Sequence, residues 1–303
     1  MFDEKEGPVE ELVHLYVDGA FNRRELIQRV ARHTGSVAAA MAALSGFPIA
    51  QAQTATCSAD ASVPADAPDL RVADVQFAGE ASTVLGYLAY PRTDGSQLWP
   101  GVLVIHENRG MVEHIRDVTR RVARAGYVAL GVDLLSRQGG TAQFTDATQQ
   151  SAAYNRTTLD ERRADLISGL AYLKSLDMVR FNRIGVVGFC AGGGNAWHLA
   201  VNVSELKAVV AFYGTPIPPA DQLALIKSPV LGLYAELDRN LTLQTAPTLT
   251  TMIGQQKTFG LHVYQGVGHA FHNDTGPAYD PAAACNAWAR TLAWFSKFLN
   301  TAS

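Results

Sequence analysis

The sequence predicts an α/β protein: a mostly parallel central sheet with helices on both faces. Three observations predict it. Short β-branched apolar runs recur from residue 70 onward, as in strands buried on both faces. Amphipathic stretches separate most of them, which implies right-handed crossovers. Residues able to carry chemistry stand directly after several runs, and ligands of such sheets bind beyond the strands' carboxyl ends.

Composition agrees. Of 303 residues, 48% are hydrophobic and 17% charged, enough apolar material for a large core. Lys and Arg total 25 against 28 Asp and Glu, a net charge of −3. That balance leaves no basic surplus to neutralise phosphates, so a nucleic-acid partner has no electrostatic support.

Residues 1–68 read as an N-terminal extension and residues 69–303 as the α/β domain. The extension opens with Asp3, Glu4, Glu6, Glu10 and Glu11. Asn22-Arg23-Arg24 follows, then a small apolar run from Gly35 to Ala50, then Ala50-Gln51-Ala52. Paired arginines, a mild apolar run and A-x-A resemble a twin-arginine export leader, which implies a periplasmic or exported protein. The run is too short for a membrane span, which needs about 20 residues. The other reading is a cytoplasmic protein whose helical arm packs on the body or on a partner subunit, giving a homo-oligomer. Residues 53–68 read as a linker on composition.

Within the domain, residues 71–79 and 83–91 alternate apolar and polar residues, as two half-exposed antiparallel strands do. Residues 101–107 (GVLVIHE) form a buried strand. Residues 113–125 form a helix with Ile115, Val118, Val122 and Ala125 on one face and Arg116, Arg120 and Arg124 elsewhere. Residues 127–135 are the next strand, 159–176 a helix. Four more strands are expected at 183–190, 208–214, 230–236 and 261–267. The stripe Trp288, Leu292, Phe295 and Leu299 marks a closing helix.

Gly188-Phe189-Cys190-Ala191-Gly192 follows a strand and opens a helix. This is the nucleophile-elbow pattern with cysteine in the serine position. A nucleophile on a sharp strand-to-helix turn has strained backbone angles, and neighbours without a β-carbon let the turn close. The thiol also lies at a helix N-terminus, where free N–H groups favour a thiolate and a developing oxyanion. A glycine-rich turn around a buried cysteine is the plain alternative. Cys57 and Cys190 and Cys285 are an odd, sparse set, one special thiol with structural or incidental companions.

Two further strand ends bear on that choice. One carries Glu236 and Asp238, the next His269 after Gly268. The order Cys190, Asp238, His269 is that of nucleophile, acid and base in an α/β-hydrolase. Glu236 is the rival acid and His272 the rival base. After the strand at 101–107 come His106, read as a packed strand residue, and Glu107. The Asn108 N–H is a candidate oxyanion donor beside that of Ala191. No H-x-x-x-H or H-E-x-x-H metal motif occurs.

Residues 104–110 (VIHENRG), Gly188 to Gly193, Asp238 and Gly268-His269-Ala270-Phe271 together resemble the dienelactone hydrolase family of α/β-hydrolases, over about residues 70–300. The resemblance implies a Cys190–His269–Asp238 triad and no metal or organic cofactor. It further implies that Glu107 pairs with the resting thiol until substrate displaces it. Members that open dienelactone carry an arginine four residues after the triad histidine; here that residue is Asn273. Arg109, Arg156 and Arg239 are the other candidates to bind an anionic group. Tyr154, Phe212, Tyr213 and Phe271 are candidate pocket walls. The expected activity is hydrolysis of a small ester or lactone through an acyl-enzyme. The alternatives are a non-catalytic, thiol redox-sensing member of the fold, and a thioesterase or phosphotriester hydrolase using the same site.

Overall fold

The computed structural model describes residues 23–36, 39–40, 61–92, 97–238, 247–248, 250–252 and 254–300. Cys57, Arg239, the A-x-A at 50–52 and most of the apolar run before it lie outside these residues. The paired arginines begin a helix, α1 (Arg23–Thr34).

One sheet contains all eight expected strands: β1 (Leu70–Ala78), β2 (Thr83–Pro91), β3 (Trp99–Ile105), β4 (Val128–Asp133), β5 (Val179–Phe189), β6 (Ala208–Phe212), β7 (Val230–Ala235) and β8 (Phe259–Tyr264). Their spatial order is β1-β2-β4-β3-β5-β6-β7-β8. β1, β2 and β4 pair antiparallel, and the pairs from β4 through β3 to β8 are parallel. β4, β6 and β7 are buried throughout, as their unbroken apolar runs require. β1 is half-exposed as expected, but β2 is mostly buried. Helices α2 (Glu113–Arg124) and α4 (Leu159–Ser175) both pack on it.

Side chains alternate across the sheet into two cores. Val102 and Val104 of β3 join Ile115, Val122, Trp288 and Phe295 on one face. Leu103 and Ile105 join Leu166, Leu170 and Trp197 on the other. The helices on the second face are α4 and α5 (Ala191–Asn202). The closing helix α6 (Pro281–Leu299) shares the first face with α2. Two of these helix starts carry side-chain caps. Thr158 and Glu161 form a capping box at α4. Asp280 caps α6 with Pro281 in its first turn. Such caps contribute about 1 kcal/mol each. A helix not expected from the sequence, α3 (Ala147–Arg156), is capped by Asp146 and buries little beyond Ala153 and Tyr154, so its apolar stripe is thin.

The linker boundary needs correcting. Val63 and Ala67 are 1% and 4% exposed, so the stretch read as linker is anchored on the domain at these two residues. The cause lies on α2. Asp117 Oδ1 accepts the Val63 N–H at 2.6 Å, and Arg120 Nε donates to the Val63 carbonyl at 2.5 Å. Arg120, expected away from the core face, is therefore buried. Arg121 is buried too. It donates to Asp117 at 2.5 Å and to Asp274, whose carboxylate also meets His114 Nδ1 at 2.9 Å.

This network carries a stability prediction. Arg121→Ala leaves Asp117 and Asp274 without their shared cation and is expected to cost about 3–5 kcal/mol in urea unfolding. Hydrogen bonds from His114, then Arg121, hold the Asp274 carboxyl well below the usual carboxylate range. A depressed carboxyl stabilises the fold fully above its unfolded pKa of about 4, and that stabilisation fades as the pH falls below it. Asp274→Ala should therefore flatten the acid limb of the stability curve.

Candidate active site

Cys190 sits between β5 and α5 with φ 54° and ψ −120°. This is a sparsely populated conformation that costs about 1–3 kcal/mol. Its neighbours explain why it survives. A β-carbon on Gly188 would lie 2.1 Å from the Gly192 carbonyl oxygen. One on Gly192 would lie 2.4 Å from the carbonyl oxygens of Ile105 and His106. Only glycine at both positions lets the elbow close and press against the end of β3. The Cys190 N–H donates to Phe212 O at 3.0 Å, and its carbonyl accepts from Gly194 N at 3.1 Å. Ala191 begins α5 directly, so its N–H belongs to the helix's donor-rich first turn. The contact of Gly192 with residues 105–106 brings the Asn108 turn to the same rim.

Cys190 Sγ lies 3.1 Å from His269 Nε2. His269 Nδ1 is hydrogen-bonded to Asp238 Oδ2. The acid and base loops are tied together, since Leu237 N donates to Val267 O at 2.9 Å. Glu236 turns away and accepts the Gly266 N–H at 2.8 Å. His272 is fully buried among Phe189, Phe212 and Trp288. The geometry therefore brings Asp238 and His269, not their rivals, to the thiol. Burial works against a charged His269 ring. Its contacts with Cys190 and Asp238 outweigh that and raise its pKa to about 9.

Glu107 is buried, with Asn273 Nδ2 donating to Oε2 at 3.0 Å and the Tyr213 hydroxyl to Oε1 at 3.5 Å. The resemblance implied a resting pair between Glu107 and the thiol; here the carboxylate rests on Asn273 and Tyr213, and the thiol on His269. His106 is the packed residue expected, a strut whose Nε2 accepts the Leu134 N–H at 2.9 Å.

The expected substrate contacts fare differently. Phe212 and Phe271 are fully buried core residues rather than pocket walls. Tyr213 is also fully buried, its ring 5.0 Å from that of His269, so it touches the candidate machinery and not the solvent side. Asn273 is committed to Glu107 and Thr275. Tyr154 is buried with its hydroxyl accepting from Asn195 Nδ2 at 2.9 Å and its ring under the Arg162 guanidinium. Asn108 is half-buried, while Arg109 and Arg156 are exposed. Sequence reasoning missed Asn195 and Thr141. Thr141 Oγ1 donates to Asp133 at 2.9 Å and accepts the Met111 N–H at 2.8 Å, pinning the turn after Glu107. Neither residue belongs to a local pattern; only the fold brings it there. A cavity of about 680 Å³ opens elsewhere, between Tyr87, Met111, Arg116 and Phe144, with no triad candidate in its lining.

Fold and site together define an α/β-hydrolase. The dienelactone hydrolase family model matches residues 84–299. A Methylorubrum extorquens protein named "Putative carboxymethylenebutenolidase" is 32% identical over 252 residues, 80% of this chain and 86% of that one. A Bradyrhizobium protein named "Probable 2-oxo-3-(5-oxofuran-2-ylidene)propanoate lactonase" is 33% identical, covering 72% and 90%. The crystal structure of a Klebsiella pneumoniae protein described as a "Putative Dienelactone Hydrolase" superposes with a TM-score of 0.70 at 27% identity, covering 76% of this chain and 99% of that one. The chain belongs to the dienelactone hydrolase family. It is a hydrolase acting on ester or lactone bonds.

Proposed function

We propose that the chain hydrolyses small esters and lactones through a Cys190 acyl-enzyme, with His269 and Asp238 completing the triad. One observation carries the reading: Sγ lies 3.1 Å from His269 Nε2 while the other ring nitrogen is held by Asp238. The imidazole is placed to take the thiol's proton as sulfur attacks, and Asp238 steadies the charge the ring then carries.

The thiolate attacks the carbonyl carbon, forming a C–S bond as the carbonyl electron pair moves to oxygen. The N–H groups of Ala191 and Asn108 receive that oxyanion. Collapse breaks the carbon–oxygen bond to the leaving group, and His269 Nε2–H gives its proton to the departing alkoxide. Water then enters. His269, now neutral, takes its proton as the oxygen attacks the thioester, and the thiolate leaves. Asp238 holds Nδ1–H throughout and steadies the imidazolium. Acylation removes the negative charge on sulfur, so one of the two partners raising the ring's pKa is lost when the base is needed.

The test is chemical. Acid quench during turnover of p-nitrophenyl acetate should leave an acetyl group on the peptide containing Cys190, with a burst of p-nitrophenol equal to the enzyme present. A burst with acetyl elsewhere, or hydrolysis by chain pre-alkylated at Cys190, refutes the assignment.

We also propose export. The twin-arginine-like extension supports it, as does Cys285, which is disulfide-bonded while Cys190 is a free thiol. Disulfides persist in oxidising compartments. N-terminal sequencing of the protein from its host should begin near residue 53; an intact Met1 rules cleavage out.

A further inference from the structure

Glu107 is a buried acid that the acyl transfer above does not use. It is 6% exposed, and both of its partners are neutral: the Tyr213 hydroxyl and the Asn273 amide. Asn273 is held at both ends of its amide and carries no charge to offer a ligand. Its Oδ1 accepts from Thr275 N at 3.1 Å and Thr275 Oγ1 at 2.7 Å, while Nδ2 donates to Glu107. Both ends of the amide are fixed. No ion pair reaches Glu107 among the described residues.

The nearby cations do not offset this charge. His269 already stands between Cys190 and Asp238. Arg109 and Arg156 are exposed, where water screens them. Arg162 gives Nη1 to the carbonyl and hydroxyl oxygens of Thr157 and lies over Tyr154. Glu107 and the sulfur share one neighbourhood. Burial first, then the charges of Glu107 and Cys190, push the Tyr213 phenol well above its ordinary value.

Resting on the hydrolase reading above, we infer that this site selects uncharged esters and lactones and rejects acyl groups that carry a carboxylate, with Asn273 as the specificity-determining residue. Like charges about 6 Å apart at an effective dielectric near 20 repel enough for roughly a 30- to 100-fold difference in rate. An arginine at position 273 would pair with Glu107 and leave charged donors for an anion; the fixed amide supplies no charge.

A matched pair of probes tests this: carboxymethylenebutenolide and its methyl ester, identical except for the charge. Ring opening is followed by product analysis at low ionic strength, with p-nitrophenyl acetate as a charge-free control. The expected result is a kcat/KM at least about 30-fold higher for the methyl ester than for the free acid. Glu107→Gln should narrow that ratio about ten-fold or more, whatever it does to absolute rates. Asn273→Arg should narrow or invert it. Equal or faster opening of the free acid, with p-nitrophenyl acetate still hydrolysed, overturns the inference and leaves the hydrolase reading standing. A ratio unmoved by Glu107→Gln also overturns it. Turnover of none of the three substrates removes the hydrolase reading, and this inference with it.

Discussion

Cys190→Ala is expected to lower kcat/KM for p-nitrophenyl acetate by at least ~10³-fold, leaving only what the oxyanion donors and binding supply. The side chain removed is one sulfur on a half-buried position, so no large cavity forms. The elbow itself survives, because its shape depends on Gly188 and Gly192 and on the bonds of the Cys190 N–H and carbonyl, all kept by alanine. Urea unfolding should therefore shift by about 1 kcal/mol or less, the range of ordinary substitutions. Cys190→Ser separates geometry from chemistry. A hydroxyl can occupy the same place, but it does not hold a proton-poor state beside His269 as a thiol does, so activity should stay well below that of the cysteine. Turnover of Cys190→Ala comparable to that of the parent chain would remove the sulfur from the reaction.

The sequence made some of this legible for physical reasons. Strands buried on both faces leave continuous apolar runs and half-exposed ones alternate, so all eight were readable; β3 and β5 deliver Glu107 and Cys190 just past their ends. The elbow glycines were readable because the backbone contacts they permit leave room for no side chain. The roles of Arg120, Arg121 and Asp117 were not. Charged residues on a helix ordinarily face water, and here their burial depends on Val63 and Asp274, which are remote in sequence. The same holds for Glu107. Its setting is fixed by Tyr213 and Asn273, more than a hundred residues away, and no local pattern announces a partner at that distance. Phe271 and Phe212 read as pocket walls because they flank strand ends. Their rings instead fill the first core beside Tyr213. Aromatic residues at a rim are ambiguous until packing decides which way they turn.

Asp238→Asn should lower kcat by about 10³- to 10⁴-fold with the fold intact, and its pH profile separates a catalytic acid from a structural one. The carboxylate can only accept, so it keeps the proton of His269 on Nδ1 and Nε2 free to face sulfur. An amide can present N–H to Nδ1 and reverse the tautomer, which places the wrong nitrogen state at the thiol. The ring's pKa supplies the second readout. Contacts with Cys190 and Asp238 raise it to about 9, so in the free enzyme the imidazolium is present below that pH and is lost above it. Acylation needs that proton for the leaving alkoxide, and kcat/KM should accordingly fall above about pH 9. In the acyl-enzyme the sulfur is neutral and only Asp238 still raises the ring, so its pKa drops and neutral imidazole appears at lower pH. Where deacylation limits turnover, kcat should rise with pH through that lower value and hold beyond it. In Asp238→Asn the alkaline limb of kcat/KM should move down, because one of the two partners that hold the ring's charge is gone. A variant that loses rate but keeps the parent's limb would assign Asp238 to loop architecture alone, and one that keeps both would leave Cys190 and His269 to act as a dyad.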